Sequence, residues 1–117
     1  MIIVTSSEIV GKKIVETIGM VRGATVRAHH VGHDIVAYLR NLVGGEVPEY
    51  TKMLAEAREQ ALDRMSENAK KMGANAVVDV RFSTSDIATG AAEVLCYGTA
   101  VRIEDYEEPR FDGDRKS

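Results

Sequence analysis

Three histidines fall within one short run, His29-His30-Val31-Gly32-His33-Asp34, and the chain has no others. Imidazole is a ligand for zinc and similar divalent transition metals, which in closed sites take four nitrogen or sulfur donors. His30 and His33 flank a glycine and can reach one ion, with Asp34 as a third ligand and Cys96 joining from a distant strand. His29 adjoins His30 and in an extended chain points to the opposite side. The run itself thus supplies two or three donors. The competing reading is a connecting loop whose histidines bond backbone groups while Asp34 caps the helix that follows. A ring of identical subunits would change the count, because one histidine per subunit near the axis multiplies around a point.

Other chemistry is thinly represented. Soft-metal trafficking sites use paired thiolates, and a lone Cys96 among Val94, Gly98 and Ala100 reads as a small buried apolar residue. Glu56 with Glu59 and Asp63 with Glu67 can bind a hard cation or share acid–base work, but interleaved basic residues mark a solvated helix face. Gly44-Gly45 follows a helix and precedes no Lys-Ser/Thr pair, so it is no phosphate cradle. Ser6 and Ser7 lack a nucleophile elbow. Met53, Met65 and Met72 stand at helical spacing, as core residues do. Arg22, Arg27, Arg40, Asp79 and Arg81 suit an interface or a ligand groove, since guanidinium groups grip carboxylate and phosphate bidentately. No catalytic set is found.

These residues need elements to position them. Apolar residues recur at Met53, Leu54, Ala57, Ala61, Met65, Ala69 and Met72, which predicts a long amphipathic helix over 51–72, capped by Thr51 and stopped by Gly73. Its length of roughly 33 Å exceeds what one small subunit covers, a first pointer to assembly. A shorter helix is expected after Asp34, through Ile35, Val36 and Leu39 to Gly44. Strands are expected at 2–5, 13–20, 24–28, 75–83 and 93–103, with a turn at Arg22-Gly23 and a loop over 84–92. Gly19 and Gly23 mark a bulge or a close backbone approach. In strand 75–83, Ala76, Val78, Val80 and Phe82 alternate as the surface answering the helix. The last strand is apolar on both faces, Leu95, Tyr97, Val101 and Ile103 on one and Val94, Cys96, Gly98 and Ala100 on the other. The class is α+β: an antiparallel or mixed sheet with one long and one short helix packed on it. No element is left to cover the second sheet face, so a second subunit is expected there.

The bulk numbers bound the function. The 117 residues, 44% apolar and 28% charged, make one domain over 1–104 and a polar tail over 105–117. A net charge of −3 argues against a nucleic-acid partner. One cysteine permits no internal disulfide. Without a basic leader or a membrane-length apolar run, the expected location is cytoplasmic.

Four runs carry a resemblance: Val43-Gly-Gly-Glu; Tyr50-Thr-Lys-Met-Leu-Ala-Glu-Ala-Arg-Glu-Gln-Ala; Gly73-Ala-Asn-Ala-Val-Val-Asp-Val-Arg-Phe; and Tyr97-Gly-Thr-Ala-Val. In order and spacing they resemble the YbjQ-like family, small uncharacterised proteins sometimes labelled heavy-metal-binding, over roughly residues 2–104. The resemblance implies a dodecin-like subunit assembling into a ring, a pentamer, and brings no reaction with it. The expected function is a non-enzymatic, ring-forming binding or structural module, with an unidentified small ligand as a further partner. The alternatives are a metal-binding protein using the His29–Asp34 run and, third, an enzyme with a site between subunits.

Overall fold

The computed structural model describes residues 1–28 and 48–106. Four strands and one helix are found there: β1 (Ile2–Ile3), β2 (Lys12–Ala28), α1 (Pro48–Lys71), β3 (Ala76–Ala88) and β4 (Ala91–Asp105). The sheet order is β1-β3-β4-β2. β1 runs parallel to β3, and the other neighbours are antiparallel, so the sheet is mixed. The α+β class is as expected. The short helix expected after Asp34 lies outside the described residues.

The helix starts at Pro48, three residues before the expected cap. Proline suits a first turn because its missing N–H has no intrahelical partner there anyway. The end is as the sequence indicated. Gly73 takes a φ of 90°, its N–H donates to the Lys70 carbonyl at 3.0 Å, and the Ala74 N–H reaches back to the Ala69 carbonyl at 3.0 Å. That pair of bonds is a Schellman stop, and only glycine takes its left-handed turn without cost.

Met53, Ala57, Ala61, Met65 and Ala69 form the buried line of α1. Ala57, Ala61, Met65 and Ala69 meet Val21 of β2, Val77 and Val80 of β3, and Val94, Cys96 and Ala100 of β4. Met72, expected in this line, is exposed at the helix end. Small side chains let the helix come very close to the sheet. A side-chain carbon built on Gly23 would stand 2.3 Å from both the Ala61 carbonyl oxygen and the Met65 nitrogen. The close approach expected at a glycine is therefore located here, and the expected turn at Arg22-Gly23 is absent. β2 passes straight through it. The expected irregularity at Gly19 is also present, as a register shift between Thr17 and Gly19.

β3 departs from the simple alternation. Val78 pairs with Thr99 but Arg81 pairs with Tyr97, so two residues, Asp79 and Val80, oppose Gly98 alone. Asp79 has a φ of 56°. The bulge flips the sides: Val77 and Val80 face the helix, whereas Ala76 and Val78 join Val101 and Ile103 in a second cluster flanked by Val4 and Ile9. The expectation that Ala76, Val78, Val80 and Phe82 share one face fails because a bulge inserts one residue into the period-2 pattern. Phe82, past the bulge, is 44% exposed. The N-terminal segment thus covers part of the second face, where a second subunit was expected. The predicted loop over 84–92 is instead strand on both sides of a turn at Gly90, where φ is 75°.

Candidate functional site

Of the expected metal ligands, His30, His33 and Asp34, with neighbouring His29, lie outside the described residues. Cys96 is fully buried. Its Sγ lies 3.5 Å from the Met65 Sδ, and burial pushes the thiol up from 9.0 to about 11. A thiol held neutral in the core packs well and is a poor donor, since the thiolate is the ligating form. Among the described residues no three His, Cys, Asp or Glu side chains come together to hold a metal.

The charged candidates sort by what they touch. Arg27 donates from Nη1 to Glu56 at 3.3 Å and from Nη2 to Gln60 at 3.2 Å, tying β2 to α1. Arg81 donates to the Thr5 and Val80 carbonyls at 3.0 and 2.9 Å. Asp79 accepts from the Ser7 hydroxyl at 2.9 Å, and its N–H donates to the Ser6 carbonyl at 2.9 Å. Together these bonds clamp the N-terminal segment onto the bulge. Glu67 meets Lys70 one turn on. Arg40 lies outside the described residues. The Arg22 side chain makes no such bond among the described residues and lines an open groove of about 940 Å3 beside β2, with Asp63, Arg64, Glu67 and Lys71.

The feature that sequence reasoning missed is the division of the sheet's two outer edges. The first part of β3's outer edge is occupied: the Val4 N–H donates to Val77 O at 3.0 Å and the Val80 N–H to Val4 O at 3.1 Å. From Arg81 to Ala88 that edge has no strand partner among the described residues. On the opposite edge, the far part of β2 is blocked by the helix. Asn68 donates to Arg22 O at 2.8 Å and Arg64 to Ala24 O at 2.7 Å. From Lys12 to Met20 the edge has no strand partner among the described residues. Exposed apolar side chains gather on these two open runs: Ile14, Val15 and Met20 on β2, Phe82 and Ile87 on β3. The β-branched run in 12–20 was legible in sequence, but its edge position depended on the pairing order.

Among the described residues no helix is long and apolar enough to cross a membrane.

The YbjQ family, described as "Putative heavy-metal-binding", matches residues 1–104. A UPF0145 protein of Methanosarcina acetivorans is 60% identical over 103 residues, covering 88% of this chain and 97% of its own. A UPF0145 protein of Pyrococcus horikoshii is 59% identical over 107 residues, covering 92% of each chain. The crystal structure of a protein with unknown function from Pediococcus pentosaceus, assigned to the DUF74 family, aligns with a TM-score of 0.56 at 18% identity. That alignment covers 89% of this chain and 98% of the other, and it supports the fold alone. With the family matched from residue 1 to residue 104 and relatives near 60% identity, this chain belongs to the YbjQ family, whose close relatives are named UPF0145 proteins.

Proposed function

We propose that this chain is a non-enzymatic, self-assembling module that forms a closed ring through its two open sheet edges. The carrying observation is that, among the described residues, the open runs lie on opposite edges, differ in sequence and carry the exposed Ile14, Val15, Met20, Phe82 and Ile87. An unpaired strand edge is a template for another strand. Pairing 81–88 of one copy with 12–20 of the next uses two different surfaces, so the interface is heterologous and repeats until it closes. The runs are similar in length, and the β2 run carries both signs of charge, Lys13 and Glu16. Five copies in a dodecin-like ring is the reading taken from the family resemblance, and a cytoplasmic location fits a chain with one buried, unpaired cysteine. Native mass spectrometry of the full chain tests the proposal: a ring gives one discrete multiple of the subunit mass, and a monomer under native conditions ends it.

A second reading is favoured by the family's own description. His30 and His33, with Asp34, bind a divalent transition metal such as zinc, and the buried Cys96 takes no part. Titration with zinc, copper and nickel, repeated on His30→Ala and His33→Ala, tests it. Loss of affinity in both variants is expected, and unchanged affinity in both removes the reading.

A further inference from the structure

On the sheet face turned away from α1, three strands bring Arg22, Tyr97 and Arg81 side by side. Arg22 of β2 is paired with Tyr97 of β4, and Arg81 of β3 is paired with the same Tyr97. Their chain neighbours Val21, Val80 and Cys96 belong to the helix-facing core, so by alternation these three project from the other side. Strands are spaced by ~4.8 Å, which puts the two arginine backbones roughly 10 Å apart with the phenol ring between them.

The row is accessible, and Asp63 and Glu67 of α1 approach it only at the Arg22 end, where the groove beside β2 also holds Arg64 and Lys71. Arg22 and Arg81 are exposed, and Tyr97 is 37% exposed. Arg81 uses Nη1 on the Thr5 and Val80 carbonyls, which fixes the guanidinium while leaving its other nitrogens for a ligand. Arg27, Arg64 and Arg102 are committed to Glu56 and Gln60, to Ala24 O and to Gly73 O, but among the described residues the Arg22 guanidinium has no such bond. Glu93 shares the face with them, opposite Val26 and Ser85. It lies four residues from Tyr97 along β4, at ~13 Å. Asp79, close in sequence to Arg81, is engaged by Ser7.

An aromatic ring flanked by two guanidinium groups fits a flat ring that carries an anion. Planar rings stack on tyrosine, and guanidinium takes phosphate through two parallel N–H bonds. We propose that the Arg22–Tyr97–Arg81 row binds a mononucleotide, with the base stacked on Tyr97 and the phosphate held by Arg22 and the free nitrogens of Arg81. Two cations match one phosphate group. A chain of net charge −3 offers no long-range attraction to a polyanionic strand. Arg22 and Tyr97 lie outside the two open runs and Arg81 begins one of them; titration reads ligand binding and native mass reads assembly, so the two readings fail separately.

Isothermal titration of the full chain with adenosine monophosphate tests it, with inorganic phosphate and adenosine as separate probes. The expected result is saturable binding with a Kd of about 1 mM or tighter, weaker for either probe alone. Arg22→Ala and Tyr97→Leu each weaken it about tenfold or more, whereas Tyr97→Phe, which keeps the ring, retains it. Circular dichroism of each variant confirms that the fold is intact. Absence of saturable binding, or binding unchanged in both Arg22→Ala and Tyr97→Leu, overturns the site. Inorganic phosphate competing as well as the nucleotide overturns the stacking role and with it the ligand class.

Discussion

The backbone of Gly23 lies against the backbone of Ala61 so closely that a methyl group on Gly23 would sit 2.3 Å from the Ala61 carbonyl oxygen. Neither partner can yield cheaply, because both the strand and the helix are held by their own hydrogen bonds. Gly23→Ala is therefore expected to destabilise the fold by at least the ~1–3 kcal/mol typical of an overpacked core. Urea denaturation of the variant beside the wild type measures it, and a change within ~0.5 kcal/mol would contradict the close approach.

Asp79 holds a left-handed backbone, φ 56°, inside the bulge of β3. A β-branched residue there bears a steric cost that glycine does not. Asp79→Val is expected to destabilise by ~1–3 kcal/mol, with loss of the Ser7 bond included. Asp79→Gly is expected to lose less than the valine variant. Thermal melts of the two variants rank them, and the reverse order would mean that backbone conformation is not what fixes the residue.

The Thr25 hydroxyl is buried without a hydrogen-bond partner among the described residues. Replacing it by a methyl group removes a polar atom whose desolvation nothing offsets. Thr25→Val is expected to raise the unfolding free energy by about 1 kcal/mol, read from the denaturation midpoint.

Burial holds the Cys96 thiol at about 11 against 9.0 in an exposed chain. The folded state thus keeps its proton where the unfolded state loses it. The contribution is fully present below pH 9 and is lost as pH rises towards 11. Wild type is expected to lose more stability than Cys96→Ala across that window, the difference between the two isolating the thiol from lysine and tyrosine titration. Parallel pH profiles would show that the thiol is not desolvated. The same burial makes Cys96 slow to react with a thiol reagent until the chain unfolds.

The proposed ring predicts asymmetric complementation. Ile87→Lys places a charge on the β3 run and Val15→Lys places one on the β2 run, and each is expected to dissociate the assembly. Each variant retains one intact edge, so a mixture of the two forms a single productive interface and yields dimers. Size-exclusion chromatography with light scattering distinguishes this from two variants that remain fully assembled, which would place the interface elsewhere.

Several features were already written in the chain. The period of Met53, Ala57, Ala61, Met65 and Ala69 specified a helix and the face it buries, and Gly73 specified its end, because both depend on neighbours within a few residues. The two apolar faces of the last strand were legible for the same local reason. The four matched runs also carried the family. Tertiary structure alone decided the rest. Gly98 and Asp79 are distant in sequence, and only their pairing creates the bulge that moves Val80 to the helix face. Edges are likewise a property of strand order, so the open runs at 12–20 and 81–88 could not be seen before the sheet was assembled. The Arg22–Tyr97–Arg81 row joins three strands in register, and a register is fixed by long-range hydrogen bonds that no single stretch of sequence contains.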